Sequence, residues 1–149
     1  MPDTPLVIAN DAFVRMTGYE RDEIIGRNCR FLQPPDNLMV IRQRMRDFQS
    51  DVDLFQGEFI LPNVRKDGTR FLNLLYMSKL NYPGRAPLFL GSQFDITTQT
   101  AARLREFSET LKKDVSEMNK VLRFKGWSIV PPFIKLDATL ARIAHYELS

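Results

Sequence analysis

The stretch from Leu54 to Ile96 constrains the fold most, because its apolar residues follow the period of β-strands. The pattern predicts three long strands, at Phe55–Val64, Thr69–Leu80 and Leu88–Ile96. The first two are separated by Lys66–Gly68, whose Asp-Gly pair tolerates the positive φ of a hairpin turn. A loop rich in Gly and Pro, residues 81–87, separates the last two. The sequence therefore predicts an antiparallel sheet.

Helical segments precede these strands. A helix capped by Asn10 and Asp11 is expected to stop at Gly18, and a second one, residues 20–25, ends at Gly26. A longer helix, capped by Asp36 or Asn37, runs to about Gln49 and places four apolar residues on one face: Leu38, Ile41, Met45 and Phe48. The short apolar run Pro5–Ala9 is interpreted as a buried strand. Short helices followed by a sheet with one packed face indicate an α+β domain.

A long amphipathic helix is predicted after the strands, from Thr97 or Thr98 to Arg123. Its apolar residues recur at spacings of three and four: Leu104, Phe107, Leu111, Val115, Met118 and Leu122. This stripe has two interpretations, packing on the domain's own sheet or the seam of a homodimer. An apolar loop, residues 126–132, and a final helix from about Leu136 to Tyr146 follow.

Composition and charge exclude several classes of protein. No apolar run is long enough to cross a bilayer, and the start of the chain lacks the features of a signal peptide. The net charge of +3 is spread along the chain, which does not predict a nucleic-acid-binding surface. A single cysteine cannot form a disulfide within the chain, so a cytoplasmic location is expected.

That single cysteine, Cys29, lies in the octapeptide Gly26–Gln33 (Gly-Arg-Asn-Cys-Arg-Phe-Leu-Gln). Nearby arginines favour a reactive thiolate, whereas a lone cysteine in a soluble domain is more often an inert buried residue. The octapeptide resembles, at every position, the signature of the LOV domains, flavin-binding blue-light sensors of the PAS superfamily. The surrounding residues match in order and spacing from Pro2 to about Thr98.

The resemblance implies a PAS/LOV domain at residues 1–97, an antiparallel sheet with flanking short helices, followed by a C-terminal helical extension at residues 98–149. The family domain normally opens with a strand that lies in the middle of the sheet, and this strand is missing before Pro2. A truncated or misassigned start, a strand supplied by a partner chain and a rearranged sheet are the three explanations.

The resemblance also implies bound flavin mononucleotide (FMN) and assigns residues to it. Arg30 and Arg46 bind the phosphate, and Arg42, one turn before Arg46, is able to share this role. The flavin ring contacts Asn28 and the amides of Gln33, Asn63, Asn73 and Gln93, and it packs in a slot formed by Leu32, Leu61, Leu75, Met77 and Phe89. Without the resemblance, the arginines would be read as a solvated helix face and the slot residues as ordinary core. The two strand asparagines would then mark an edge strand or a bulge.

The mechanism that the resemblance implies is a reversible photoreaction. Blue light excites the flavin, the Cys29 thiol adds to ring carbon C4a, and N5 becomes protonated. Gln93 then turns its amide to keep its hydrogen bond to N5, since a buried unsatisfied donor costs about 1–3 kcal/mol. Gln93 lies on the last strand, which leads into the long C-terminal helix, so the prediction is a photoreceptor that signals through that helix and is not an enzyme.

Three other functions stay open: a redox sensor that reads the oxidation state of the flavin, an interaction module without a cofactor, and an enzyme. An enzyme with Cys29 as nucleophile needs a nearby histidine base, and the only histidine, His145, lies near the C-terminus. The expected partner is a second copy of the chain, bound through the C-terminal helices, whereas nucleic acid and membrane are not expected.

Overall fold

A computed structural model of the chain describes residues 5–34, 39–97 and 101–129. Its centre is an antiparallel sheet in which β1 (Gln56–Val64), β2 (Arg70–Asn81) and β3 (Leu88–Asp95) are neighbours in that order. The three strands predicted from the sequence are confirmed, with ends that differ by at most one residue. A two-residue strand, β4 (Ser128–Ile129), pairs with the end of β2.

The register gives the sheet two different faces. Asn73 lies opposite Leu61 on β1, and Leu75 lies opposite Gln93 on β3. Because side chains alternate along a strand, these residues share one face, which we call the site face. The opposite side, the outer face, carries Ile60, Leu74, Tyr76 and Phe94.

The long helix α4 (Ala101–Phe124) packs on the outer face. Its buried side chains include Leu104, Leu111 and Val115, and Phe107 stacks on Phe94 with ring centroids 4.3 Å apart. The amphipathic stripe predicted from the sequence thus packs on the domain's own sheet. Its predicted start lies partly outside the described residues, which omit 98–100.

Three helical segments lead toward the sheet. The first, α1 (Asp11–Thr17), begins where the Asn10 side chain accepts a hydrogen bond from the Phe13 N–H and ends at Gly18, whose φ of 76° suits a glycine. The second, α2 (Arg21–Ile24), has a capping box between Glu20 and Glu23. A single turn of 3₁₀ helix, Cys29–Leu32, follows, and we call it the Cys29 turn.

The helix α3 (Met39–Ser50) corresponds to the predicted helix that ends near Gln49. Phe48 is buried, and Ile41 and Met45 pack against the same apolar cluster. The predicted caps Asp36 and Asn37, together with Leu38, lie outside the described residues. The predicted final helix, about Leu136 to Tyr146, also lies outside them.

The prediction of a buried strand at Pro5–Ala9 is wrong. These residues form no strand, and the side chains of Val7 and Ile8 are 69% and 84% exposed. Leu6 exchanges backbone hydrogen bonds with Gly26 and Arg27 at the end of α2, so the segment is held against a turn and not in the sheet. Apolar composition alone does not specify the neighbour that a strand needs.

Residues just after α4 are attached to the end of β2. Trp127 packs against Tyr82 with ring centroids 5.1 Å apart, and its backbone N–H donates to the Leu122 carbonyl at 3.1 Å. These contacts and the β2–β4 pairing hold the C-terminal end of α4 on the sheet. None of the helices in the described ranges is long and apolar enough to cross a lipid bilayer.

Candidate functional site

Three amide side chains from three strands form one hydrogen-bonded group on the site face. Asn73 lies between the other two, and its Nδ2 donates to Asn63 Oδ1 at 2.9 Å and to Gln93 Oε1 at 2.6 Å. Asn63 in turn donates to the Pro62 carbonyl at 2.9 Å. We call Asn63, Asn73 and Gln93 the amide group. The sheet register thus brings together three of the residues assigned to the flavin ring.

The amide group has an unused acceptor. Asn73 is only 1% exposed, and its Oδ1 has no hydrogen-bond partner within the described part of the chain. A buried acceptor without a donor costs about 1–3 kcal/mol, so this atom suits a ligand that donates a hydrogen bond. The pyrimidine edge of a flavin carries both an N–H donor and carbonyl acceptors, which match amide oxygens and amide N–H groups. The residues present therefore fit a flavin.

Most of the apolar residues predicted to form the slot lie in one cluster beside the amide group on the site face. Leu61, Leu75 and Met77 are buried in one cluster with Phe48 and Phe59, and Phe89 packs against it. Leu32 of the Cys29 turn is also buried, at 1% exposure. An apolar slot with a few convergent polar groups at one end is typical of a site for a flat ring with one polar edge.

Cys29 is the first residue of the Cys29 turn. Asn28 caps this turn, since its Oδ1 accepts a hydrogen bond from the Arg30 N–H at 3.0 Å. Cys29 is half-buried, and desolvation raises the pKa of its thiol to about 11. Burial thus outweighs any effect of the neighbouring arginines, and the thiol is protonated at neutral pH.

The residues assigned to the phosphate are not all brought together. Arg42 on α3 donates from Nε to Gln33 Oε1 at 2.7 Å, so two residues predicted to contact the ligand contact each other. This bond attaches the Cys29 turn to α3. Arg30 and Arg46 are exposed. A guanidinium suits a phosphate because its planar fork can donate two parallel hydrogen bonds, and Arg42 and Arg46, four residues apart on α3, lie on one helix face.

Sequence reasoning missed two charged groups close to the site. Asp95, two residues after Gln93, forms an ion pair with Arg65, whose Nε also donates to the Met16 carbonyl at 2.9 Å. Lys79 continues the site face beyond Met77 and is buried. The alternation of side chains along the strand already places Lys79 on the same face as Leu75 and Met77, so the sequence could have identified Lys79 as a residue near the site.

Comparison with known proteins gives consistent matches. A family model described as PAS domain matches residues 1–98. The blue-light-activated histidine kinase of Brucella ovis is 38% identical over 118 residues, which are 75% of this chain and 22% of that protein. The chain thus spans about a fifth of the length of that relative.

Solved structures of similar sequence have the same fold. The light-state structure of the blue-light photoreceptor Aureochrome1 LOV is 34% identical and has a TM-score of 0.59, covering 66% of this chain and 76% of that one. The LOV protein of Rhodobacter sphaeroides is 31% identical, with a TM-score of 0.64 over 83% of this chain and 67% of that one.

Proposed function

The chain belongs to the PAS domain family and is homologous to its LOV blue-light photoreceptors, and from this premise we propose that it binds FMN and responds to blue light through Cys29. The observation that carries the proposal is the buried Oδ1 of Asn73, which has no hydrogen-bond partner among the described residues and lies on the same sheet face as an apolar cluster. This atom is matched by the N–H on the pyrimidine edge of a flavin.

In this proposal the amide group and Gln33 hold the polar edge of the ring, and Leu32, Leu61, Leu75, Met77 and Phe89 enclose its apolar part. Asn28 supports the site by capping the Cys29 turn. Arg30 and Arg46 bind the phosphate. Arg42 shares this task or fixes Gln33, to which it already donates.

When bound, the flavin supplies blue-light absorption and a ring carbon to which a thiol adds reversibly. Cys29, protonated at neutral pH, provides both the sulfur and the proton that such an addition needs. Gln93 presents an amide that is able to accept a hydrogen bond with its oxygen or donate one with its nitrogen. Its rotation would exchange these roles and break its present bond to Asn73.

The signal is proposed to leave the site through β3. Asp95, at the end of this strand, accepts hydrogen bonds from the Thr97 N–H and hydroxyl at 3.0 and 2.7 Å. The Thr97 hydroxyl oxygen in turn accepts from the Leu72 N–H at 2.9 Å. Gln93 therefore lies two residues before Asp95, whose carboxylate fixes Thr97 just before α4. Rotation of Gln93 would act on β3 close to this contact.

The Brucella relatives are named histidine kinases, but this chain covers only about a fifth of their length. We propose that the chain has a sensory and not a catalytic role. We also propose that it pairs with a second copy through its C-terminal helices. The exposed side chains of Val121 and Phe124, close to the end of α4, support such pairing.

The test is the absorption spectrum of the purified chain, recorded in the dark and directly after blue light. We expect a flavin spectrum that bleaches and recovers in the dark, and a Cys29→Ala variant that binds flavin without this reversible change. Because Cys29 is the only cysteine, no other thiol can replace it. A yellow protein that ignores light would favour the redox sensor or the enzyme, and a colourless one the interaction module without a cofactor.

A further inference from the structure

Lys79 is a buried lysine on the site face. It is 4% exposed and lies two residues beyond Met77 on β2, opposite Phe89 of β3. Lysine is almost never buried unless its charge is compensated, because desolvating an ammonium group is costly. Its surroundings must therefore supply specific partners.

The partners of Lys79 belong to the end of α3. Its Nζ donates a hydrogen bond to the carbonyl of Asp51, the residue that follows α3, and lies 4.9 Å from the centroid of the Phe48 ring. The last carbonyls of a helix lack partners within the helix and form the negative end of its dipole. Lys79 therefore caps α3 from the sheet.

Phe48 couples this cap to the apolar slot. Its ring packs against Phe59 and Phe89, with centroids 6.0 and 6.3 Å away. At its other end, α3 is tied to the Cys29 turn by the bond from Arg42 to Gln33. The helix is thus fixed at two points, and Arg46 lies between them, one turn before the helix ends.

We propose that Lys79 is a positioning residue for the phosphate of the flavin nucleotide: by holding the end of α3 on the sheet, it sets the place of Arg46. The inference rests on the proposed function. It predicts that Lys79 affects the affinity for FMN, which carries a phosphate, and not the affinity for riboflavin, which has the same ring without one. A residue that merely stabilised the fold would affect both ligands equally.

The experiment titrates flavin-free protein with FMN and with riboflavin and follows flavin fluorescence. Lys79→Met keeps the length and burial of the side chain and removes the donor and the charge. We expect its FMN affinity to fall about tenfold, the loss of roughly one charge-assisted hydrogen bond, while its riboflavin affinity stays within about twofold. Lys79→Arg, which can still donate to Asp51, should recover most of the FMN affinity.

A second readout needs no ligand. In flavin-free Lys79→Met, amide hydrogen exchange should speed up at the end of α3, residues 47–51, while β1 stays protected. Arg46→Ala is the matched control, because it should show the same selective loss of FMN affinity without faster exchange at residues 47–51.

Each remaining outcome identifies which idea fails. In folded Lys79→Met, equal weakening of the affinity for both ligands, or no weakening, overturns the role of Lys79. If Lys79→Met does not fold and so binds neither ligand, the ratio of FMN affinity to riboflavin affinity in Lys79→Gln, which loses the charge, decides: a lower ratio than in the wild type supports the role of Lys79, and an unchanged ratio overturns it. If the wild-type chain binds neither FMN nor riboflavin, the proposed function fails, and the exchange experiment alone then decides whether Lys79 holds α3.

Discussion

Among single residues, Cys29 matters most for the proposed chemistry, because its thiol must carry the proton as well as the sulfur. Burial keeps its thiol protonated, and a protonated thiol holds the proton that an addition reaction must deliver along with the sulfur. Because the folded pKa is raised, the stability gained by burying the neutral thiol is fully present below the ordinary pKa of a thiol. It is lost as the pH rises through about 11.

The rate at which iodoacetamide alkylates Cys29 tests whether the thiol is protonated, because only the thiolate reacts. At pH 8 the folded, flavin-free chain should react about a hundred-fold more slowly than the urea-unfolded chain, because its pKa of about 11 lowers the thiolate fraction by that factor. The rate of the folded chain should keep rising beyond pH 9, where that of the unfolded chain levels off. A folded chain that levels off below pH 9 would show that nearby arginines activate the thiolate.

At the scale of elements, the two ends of α4 have different surroundings. Leu104, Leu111 and Val115 are buried against the outer face, whereas Phe124 at the last position of the helix is 95% exposed. The helix thus has one apolar surface that packs on its own sheet and, near its end, exposed apolar side chains, and these are the ones that we propose to pair with a second copy of the chain.

Substitutions on the two surfaces should separate these roles. Leu111→Ala should lower the free energy of unfolding by about 2–4 kcal/mol, since it leaves a cavity between α4 and the sheet. Phe124→Ser should leave urea unfolding of the monomer nearly unchanged and shift the chain from dimer to monomer in light scattering. A wild-type chain that is monomeric both in the dark and in the light would refute the proposed homodimer.

At the scale of the whole molecule, Arg65 joins parts of the chain that are distant in sequence. It pairs with Asp95 on β3, donates to the Met16 carbonyl at the end of α1, and lies over the ring of Phe71 on β2, 4.4 Å from its centroid. The two side chains of the ion pair are only 26% and 28% exposed. One guanidinium thus connects the hairpin, α1 and the strand that leads toward α4.

Arg21 provides a matched comparison, since it also pairs with a carboxylate, Asp11, and donates from Nε to a carbonyl, that of Ala9. Its ion pair is more exposed, at 50% and 77%. Arg65→Lys should therefore lower the free energy of unfolding by about 1–3 kcal/mol, against less than about 1 kcal/mol for Arg21→Lys. Urea unfolding at low and high salt measures both values, and equal losses would contradict a special role for Arg65.

Local patterns predicted the sheet well because strand period and turn residues act over a few neighbours. The Asp-Gly turn and the Gly/Pro loop mark the end of β1, both ends of β2 and the start of β3. The same local reasoning failed for Pro5–Ala9, since pairing depends on a neighbour that the segment does not specify.

For the candidate site, the sequence supplied residue types and their faces but not their mutual contacts. The shared face of Asn63, Asn73 and Gln93 follows from strand alternation, whereas the bonds among them need the register of three strands. Lys79 was missed because a charged residue in a strand is normally read as exposed. Its acceptor, on Asp51, lies 28 positions away in the chain.

The packing of Trp127 on Tyr82 gives the molecule an optical probe of its own. Trp127 is the only tryptophan in the chain, so the ultraviolet fluorescence of indole comes from this one position. Indole emission depends on its surroundings, and here the surroundings are the contact between the end of α4 and the end of β2. If the proposed light response moves the end of α4, the emission of Trp127 should report that movement in unlabelled protein.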